Sequence, residues 1–328
     1  VSWIKGDVAI AIGQSSPNSD SPTSAIKMIS SATTSLHSVR ANIAVTSGLD
    51  YTLSFYVKQS ENQFVQILYG TGAFDSLYAN FDLLNGTISA ESNCIATIST
   101  KAINGFYKCS ITATSISTQS ASCYIANIPL GTSSRAFSYL GDGTSGVYIY
   151  GASLEQNSYA SSYIKTVGTS QTRVAETATG SGSSTVINSS EGVLYAEINA
   201  LANDLTYREI SISDGTLSNA VKIEYNDLSN YIGFRVISNS VPVEQFQISN
   251  QNITQTNKLA ISYKLNDFRV FINGVKVGSS VIGVVPIDLS ELAFYRGDGS
   301  NNFYGKTKSV QVYTTALSDA ELISLTTI

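Results

Sequence analysis

Apolar and polar residues take turns along most of this chain, and that period of two constrains the fold more than any other feature. Tyr51, Leu53, Phe55 and Val57 alternate with Thr52, Ser54, Tyr56 and Lys58. Leu77, Ala79, Phe81 and Leu83 alternate with Tyr78, Asn80 and Asp82, and Tyr107, Cys109, Ile111 and Ala113 with Lys108, Ser110 and Thr112. In the second half Leu259, Ile261, Tyr263 and Leu265 alternate with Ala260, Ser262 and Lys264, and Val310 and Val312 with Gln311 and Tyr313. Successive side chains of a strand point to opposite faces, so each run can bury one face and leave the other wet. That is the signature of antiparallel sheets. Asn85-Gly86 and Asn273-Gly274 fall between such runs, and Asn-Gly tolerates the positive φ that tight hairpin turns require. Helix is expected only at the end, in "LSDAELISLTT", where Ser318 can cap, Glu321 sits three residues later and Leu322 and Leu325 face the body. The expected class is all-β: two tandem antiparallel sandwiches closed by one short helix.

Two bodies are expected because 328 residues exceed one ordinary sandwich. Residues 166–190, "TVGTSQTRVAETATGSGSSTVINSS", lose the alternation and gain Gly, Ser and Thr. The boundaries read as domain one at 1–165, a linker at 166–185 and domain two at 186–328. Charged residues make up only 13% of the chain and the net charge is −5, which argues against the clustered basic face of a nucleic-acid binder. No apolar run is long enough to span a membrane as a helix. No basic start followed by an apolar stretch is visible, so no signal peptide is read there.

Cys94, Cys109 and Cys123 are odd in number and lack zinc-site or redox spacing. They read as small apolar residues on strands, with a Cys94–Cys109 cross-strand bridge as an alternative. No catalytic set assembles: Glu197 and Glu209 stand apart in sequence, and the one histidine, His37 in "SLHSVR", reads as a surface residue. Nothing supplies a nucleophile–His–acid set, so no enzyme is expected.

Two stretches carry a resemblance. In the first half, "WIKGDVAIAIGQSSPNSDSPTSAIKM", "YTLSFYVKQSENQFVQILY", "GFYKCSIT" and "GDGTSGVYIYGASLEQNSYASSYIKT" resemble the jelly-roll modules of phage tail and virion proteins, related to carbohydrate-binding modules of the family 4/9 type. In the second, "LAISYKLNDFRVFINGVKVG" followed by "FYGKTKSVQVYTTALSDAELISLT" resembles the concanavalin A-like (laminin G/pentraxin) domains of phage fibres. The resemblance implies a jelly roll followed by a concanavalin A-like domain. It also implies a non-enzymatic, glycan-binding fibre or spike component at a virion surface, assembled with other virion proteins as a homo-oligomer, a trimer. The alternatives are a purely structural head-fibre or decoration protein, a polysaccharide depolymerase and a bacterial adhesin. Calcium is the one cofactor such modules suggest. The position where they carry an Asp reads Tyr150-Gly151-Ala152 here, leaving Glu155 as the nearest acid.

Sugar binding needs aromatic faces for the C–H surface of the ring and amides or carboxylates for its hydroxyls. Candidates on wet faces or loops are Phe74, Tyr78 and Tyr124 with Asn80 and Asp82 in the first domain. In the second they are Tyr207, Tyr231, Tyr295 and Tyr304 with Asn301 and Asn302. Such tyrosines also shield sheets or fill subunit contacts. The stretch "RGDGSNNFYG", from Arg296, reads as a turn, with an ion site or an adhesion tripeptide as the alternatives. Asp298, Asp142 in the second "GDG" and Glu155 are the candidate metal ligands.

Overall fold

The computed structural model describes residues 3–18, 21–101, 103–166, 169–171 and 181–328. The chain divides into two compact units, Val1–Thr172 and Arg173–Ile328. Of the expected linker, residues 167, 168 and 172–180 lie outside the described residues. Strands dominate, and the one α-helix among the described residues is the C-terminal one. No described helix is long and apolar enough to cross a membrane.

The first unit runs β1 (Ile4–Gly6), β2 (Val8–Gln14), β3 (Ala25–Ser30), β4 (Thr34–Ser35), β5 (Ser38–Val45), β6 (Asp50–Gln59), β7 (Phe64–Tyr69), β8 (Tyr78–Asp82), β9 (Thr87–Ser92), β10 (Ile95–Ile98), β11 (Tyr107–Thr114), β12 (Gln119–Ile128), β13 (Tyr139–Leu140) and β14 (Gly146–Glu155). They form two six-stranded antiparallel sheets, β1-β5-β12-β7-β8-β9 and β10-β11-β6-β14-β3-β2, with β13 and β4 as a small third pair. The strand order jumps between sequence-distant neighbours, as in a jelly roll. Leu53, Phe55 and Val57 of one sheet meet Val65, Ile67 and Ile125 of the other in a dry core.

Several expectations change here. Thr52 and Ser54, on the supposed wet face of β6, are buried, and the chain beyond β14 returns across Thr52, whose hydroxyl donates to the carbonyl of Asn157 at 2.8 Å. His37 is not a surface residue. It is fully buried, with Nδ1 2.7 Å from the Asp7 carbonyl oxygen and Nε2 3.0 Å from that of Tyr139. It pins the β1–β2 turn to β13. All three cysteines are free. The register sets Ile98 opposite Cys109, four positions from Cys94, so no bridge forms. Burial pushes the Cys123 thiol up to about 12 and the Cys94 thiol to about 11. At Asn85-Gly86 only Gly86 takes a positive φ, 68°. The connection spans residues 83–86, and the Asp82 carboxylate accepts the N–H groups of Leu84 and Asn85.

The second unit runs β15 (Glu191–Ala200), β16 (Arg208–Ser213), β17 (Ala220–Tyr225), β18 (Ile232–Ser238), β19 (Val241–Ile248), β20 (Asn257–Lys264), β21 (Asp267–Ile272), β22 (Val275–Ser280), β23 (Glu291–Ala293), β24 (Gly305–Tyr313) and α1 (Asp319–Thr326). Two five-stranded antiparallel sheets result, β22-β21-β20-β15-β24 and β19-β18-β17-β16-β23. Asn273 and Gly274 join β21 to β22 with φ of 50° and 81°, the two positive values of a type I′ turn. Ser318 and Glu321 close the expected capping box. Leu322 is buried against Val193, Tyr195, Ala260 and Phe271, with Leu325 packed beside it. The helix thus covers the outer face of the first sheet and leaves that of the second to the loops.

Candidate functional site

The outer face of the second sheet, β19-β18-β17-β16-β23, is polar where the inner face is apolar. On β16 Ile210 and Ile212 enter the core, so Glu209, Ser211 and Ser213 point outward. The register places Glu209 opposite Glu224 and Ser211 opposite Lys222, then Lys222 opposite Arg235 and Glu224 opposite Gly233. Like charges directly across a ladder repel, and the intervening cation resolves the conflict. Lys222 Nζ lies 2.5 Å from Glu209 Oε2 and 3.4 Å from Glu224 Oε2. Arg235 Nε donates to Glu224 Oε1 at 2.8 Å, and Asn301 Nδ2 donates to Glu209 Oε1 at 2.8 Å. Gly233 is required by this packing, since a Cβ there would sit 2.6 Å from Glu224 Cγ. Glu209 and Glu224 are each about 1% exposed. Two carboxylates so enclosed and two cations beside them make a floor whose formal charges cancel.

The "RGDGSNN" loop forms one wall. Arg296 and Ser300 close a bridge, and Phe303 donates its N–H to the Phe294 carbonyl at 2.9 Å. The Arg296 guanidinium pairs with Asp298 at 2.8 Å, and Ser300 donates both its N–H and its hydroxyl to the same carboxylate. These bonds, led by Arg296, hold the Asp298 carboxyl well below the usual carboxylate range. A Cβ on Gly297 would overlap the carbonyl oxygen of Thr216, so glycine lets the loop press onto the β16–β17 turn. The stretch is therefore a turn, and the two charges of its tripeptide are spent on each other.

Tyr295 and Tyr207 flank this floor, both half-exposed. Tyr295 accepts the Ser211 hydroxyl at its carbonyl, 2.7 Å away, and its own hydroxyl donates to Glu291. That hydrogen bond raises the Tyr295 phenol. Partial burial and then the Asp227 carboxylate, 3.0 Å from its hydroxyl, raise that of Tyr207. Both rings stay neutral at ordinary pH. Tyr231, also half-buried, precedes β18 at the end of the sheet where Tyr207 precedes β16, because Arg208, Tyr225 and Ile232 share one row.

The structure thus brings Tyr207, Tyr231, Tyr295 and Asn301 to one sheet, with Asn302 beside them in the loop. Tyr304 is exposed but begins toward β24, in the other sheet. In the first unit Phe74 is no wet-face aromatic: it is buried, stacked 4.0 Å from the Tyr69 ring. Asn80 is buried under the loop after β12, donating to the carbonyls of Gly131 and Ser133. The Asp82 carboxylate accepts from Gln63 and Asn85. Tyr78 and Tyr124 keep half-exposed rings, the latter bonded to Arg40 at 2.7 Å. Among the candidate metal ligands, Asp142 accepts from Thr144 and Ser145, and Glu155 accepts from the Ser161 N–H. No group of three or more His, Cys, Asp or Glu residues converges among the described residues. Lone carboxylates already satisfied by neighbours do not fit the six to eight oxygens that calcium takes.

Sequence reading missed Glu209 with Lys222, Glu224 and Arg235 as a unit. Their shared parity was visible, but the strand register that makes them neighbours was not.

With this geometry established, comparison places the second unit in a class. Residues 198–323 match the family model of the concanavalin A-like lectin/glucanases superfamily, and the unit is a concanavalin A-like sandwich. Among solved structures the chain is similar to the CBM40 of a Ruminococcus gnavus IT-sialidase bound to α2,3-sialyllactose, at 15% identity over 42% of this chain and 84% of that one, TM-score 0.36. It is similar to sheep galectin-11 in complex with glycerol, at 14% identity over 39% and 92%, TM-score 0.29. It is also similar to the carbohydrate-binding module CBM66 from Bacillus subtilis, at 10% identity over 39% and 73%, TM-score 0.26. No curated protein sequence matches significantly.

Proposed function

We propose that the chain is a non-enzymatic glycan-binding protein, and that the half-exposed aromatic rim of β19-β18-β17-β16-β23, beside its buried floor, takes the sugar. The observation that carries this is the half-exposed pair Tyr207 and Tyr295 beside a charged floor that is neutralised internally. Tyrosine rings present flat apolar faces with a polar tip, and a floor without net charge suits a neutral sugar. The match to the concanavalin A-like lectin/glucanase model supports the same reading. Placement in a phage fibre or spike at a virion surface, as a trimer with other virion proteins, follows the resemblance of "LAISYKLNDFRVFINGVKVG" and the first-half stretches. Scattering from the isolated chain tests the trimer: a monomer at micromolar concentration counts against it.

Affinity electrophoresis of the whole chain through gels containing neutral polysaccharides tests the binding. Retardation is expected, and Tyr295→Ala should weaken it about tenfold, about 1.4 kcal/mol. An unretarded parent chain across a broad glycan panel would refute the reading.

A further inference from the structure

The outer face of the β10-β11-β6-β14-β3-β2 sheet in the first unit is chemically unlike the floor just described. Tyr56 and Lys58 of β6 and Tyr148 of β14 point outward, since Phe55, Val57, Val147 and Ile149 fill the core. Tyr150 packs with Phe106 and with Tyr56, Tyr148 and Tyr163 into an aromatic layer on that face. Lysines lie over these rings. Lys58 Nζ sits 5.8 Å from the Phe106 centroid and 5.7 Å from that of Tyr148. Lys101 Nζ lies 5.5 Å from the centroid of Tyr107, whose ring belongs to the core at the edge of the sheet and not to this layer.

Two details mark Lys58 and Lys101 as a pair. Both flank Gly105: a Cβ there would meet Lys101 Cε at 3.6 Å and Lys58 Cε at 3.7 Å. Asn104 and Gly105 take φ of 67° and 82°, and this left-handed turn lies between the two side chains. The carboxylates of this face are engaged elsewhere. Glu61 pairs with Lys27 at 2.6 Å, and Glu155 accepts the Ser161 N–H at 3.0 Å. Among the described residues no carboxylate forms an ion pair with Lys58 or Lys101. Two ammonium groups held together repel unless an anion joins them.

We infer that this face is a second carbohydrate site, selective for acidic polysaccharide bearing carboxylate or sulfate groups. Lys58 and Lys101 receive the acid group, and the half-exposed ring of Tyr148 adjoins the sugar, while the Tyr56 ring beside it is taken by Lys108, whose Nζ lies 5.9 Å from its centroid. The inference extends the glycan-binding reading to a second sheet and a charged ligand class. The aromatic layer argues for sugar rather than for a simple polyanion.

The experiment is affinity electrophoresis of the whole chain against polygalacturonate, chondroitin sulfate, uncharged dextran and a double-stranded DNA of mixed sequence, at 20 and 200 mM NaCl. Stronger retardation by the two acidic polysaccharides than by dextran is expected, weakening at the higher salt. Lys58→Glu with Lys101→Glu should weaken acidic retardation at least tenfold while leaving the dextran result unchanged. Lys101→Glu alone, on an exposed side chain, should weaken it severalfold and guards against misfolding of the double variant. Tyr295→Ala should leave acidic retardation intact. Loss of acidic binding with Tyr295→Ala but not with the lysine variants overturns the second site and spares the glycan reading. No retardation by any polysaccharide overturns both. DNA binding as tight as that of the acidic polysaccharides, lost with the same lysines, overturns the sugar selectivity.

Discussion

Removing the Lys222 ammonium tests whether the charged floor depends on the cancellation of its charges. Lys222→Met keeps an unbranched side chain and deletes the charge. The structure specifies what is left. Glu224 retains the Arg235 guanidinium at 2.8 Å. Glu209 retains only the neutral Asn301 amide at 2.8 Å, while Glu224 stands directly opposite across the ladder. All three side chains of the original cluster are at most 4% exposed, so water cannot replace the lost cation. Breaking a buried ion pair by deleting one partner costs about 3–5 kcal/mol. Arg235 still compensates one carboxylate, which puts the expected loss near the lower end, about 3 kcal/mol.

The two compact units need not unfold together, so the assay must resolve them. Hydrogen–deuterium exchange read by peptide does so. Amides of 220–225 should exchange about 100-fold faster in the variant, at about 1.4 kcal/mol per factor of ten, and those of the first unit should not change. Adding Glu209→Gln removes the stranded charge and should recover about 2 kcal/mol, a coupling expected of groups in direct contact. If Lys222→Met exchanges within a factor of two of the parent, or if the double variant is no better than the single, the account of the floor is wrong.

Three further outcomes follow from the same geometry. Gly297→Ala drives a Cβ into the Thr216 carbonyl; the loop must shift, at about 1–3 kcal/mol, and glycan retardation should fall with it. Ser318→Ala removes the capping hydroxyl of α1 and should cost about 1 kcal/mol, read as faster exchange across the last turns alone. The Glu61 carboxyl is lowered to about 2, chiefly by its hydrogen bond from Lys27. Its folded value lies below the unfolded one, so its contribution is present above about 4.5 and lost as pH falls toward 2. Glu61→Gln should flatten that part of the acid-denaturation profile, followed by the fluorescence of Trp3, the only tryptophan in the chain.

What could be read from sequence divides by the distance over which the deciding interaction acts. The β21–β22 hairpin and the α1 capping box depend on residues within a few positions, Asn273 with Gly274 and Ser318 with Glu321, and both form as expected. The alternation on β6 told which residues enter the core. It could not tell that Thr52 is also covered, because the cover is Asn157, 105 residues along the chain. His37 was misplaced for the same reason: the carbonyls its ring nitrogens meet are 30 residues before it and 102 after. Asn80 and Asp82 looked wet because they alternate with Ala79, Phe81 and Leu83, yet a loop 51 residues on takes Asn80 and the turn that follows takes Asp82, while Phe74 stacks in the core on Tyr69.

The site shows the same division in sharper form. Tyr207, Tyr295 and Asn301 could be nominated one at a time, since each sits in a polar loop. Glu209, Lys222, Glu224 and Arg235 become a unit only through the pairing of three strands, and Asn301 joins them across 92 residues. A carboxylate pair on neighbouring strands would suggest acid–base chemistry if position alone were considered. The cation between them and their enclosure point the other way, because a catalytic acid must hand its proton to something it can touch. Chemistry at this face is therefore decided by what covers each charge rather than by which charges are present.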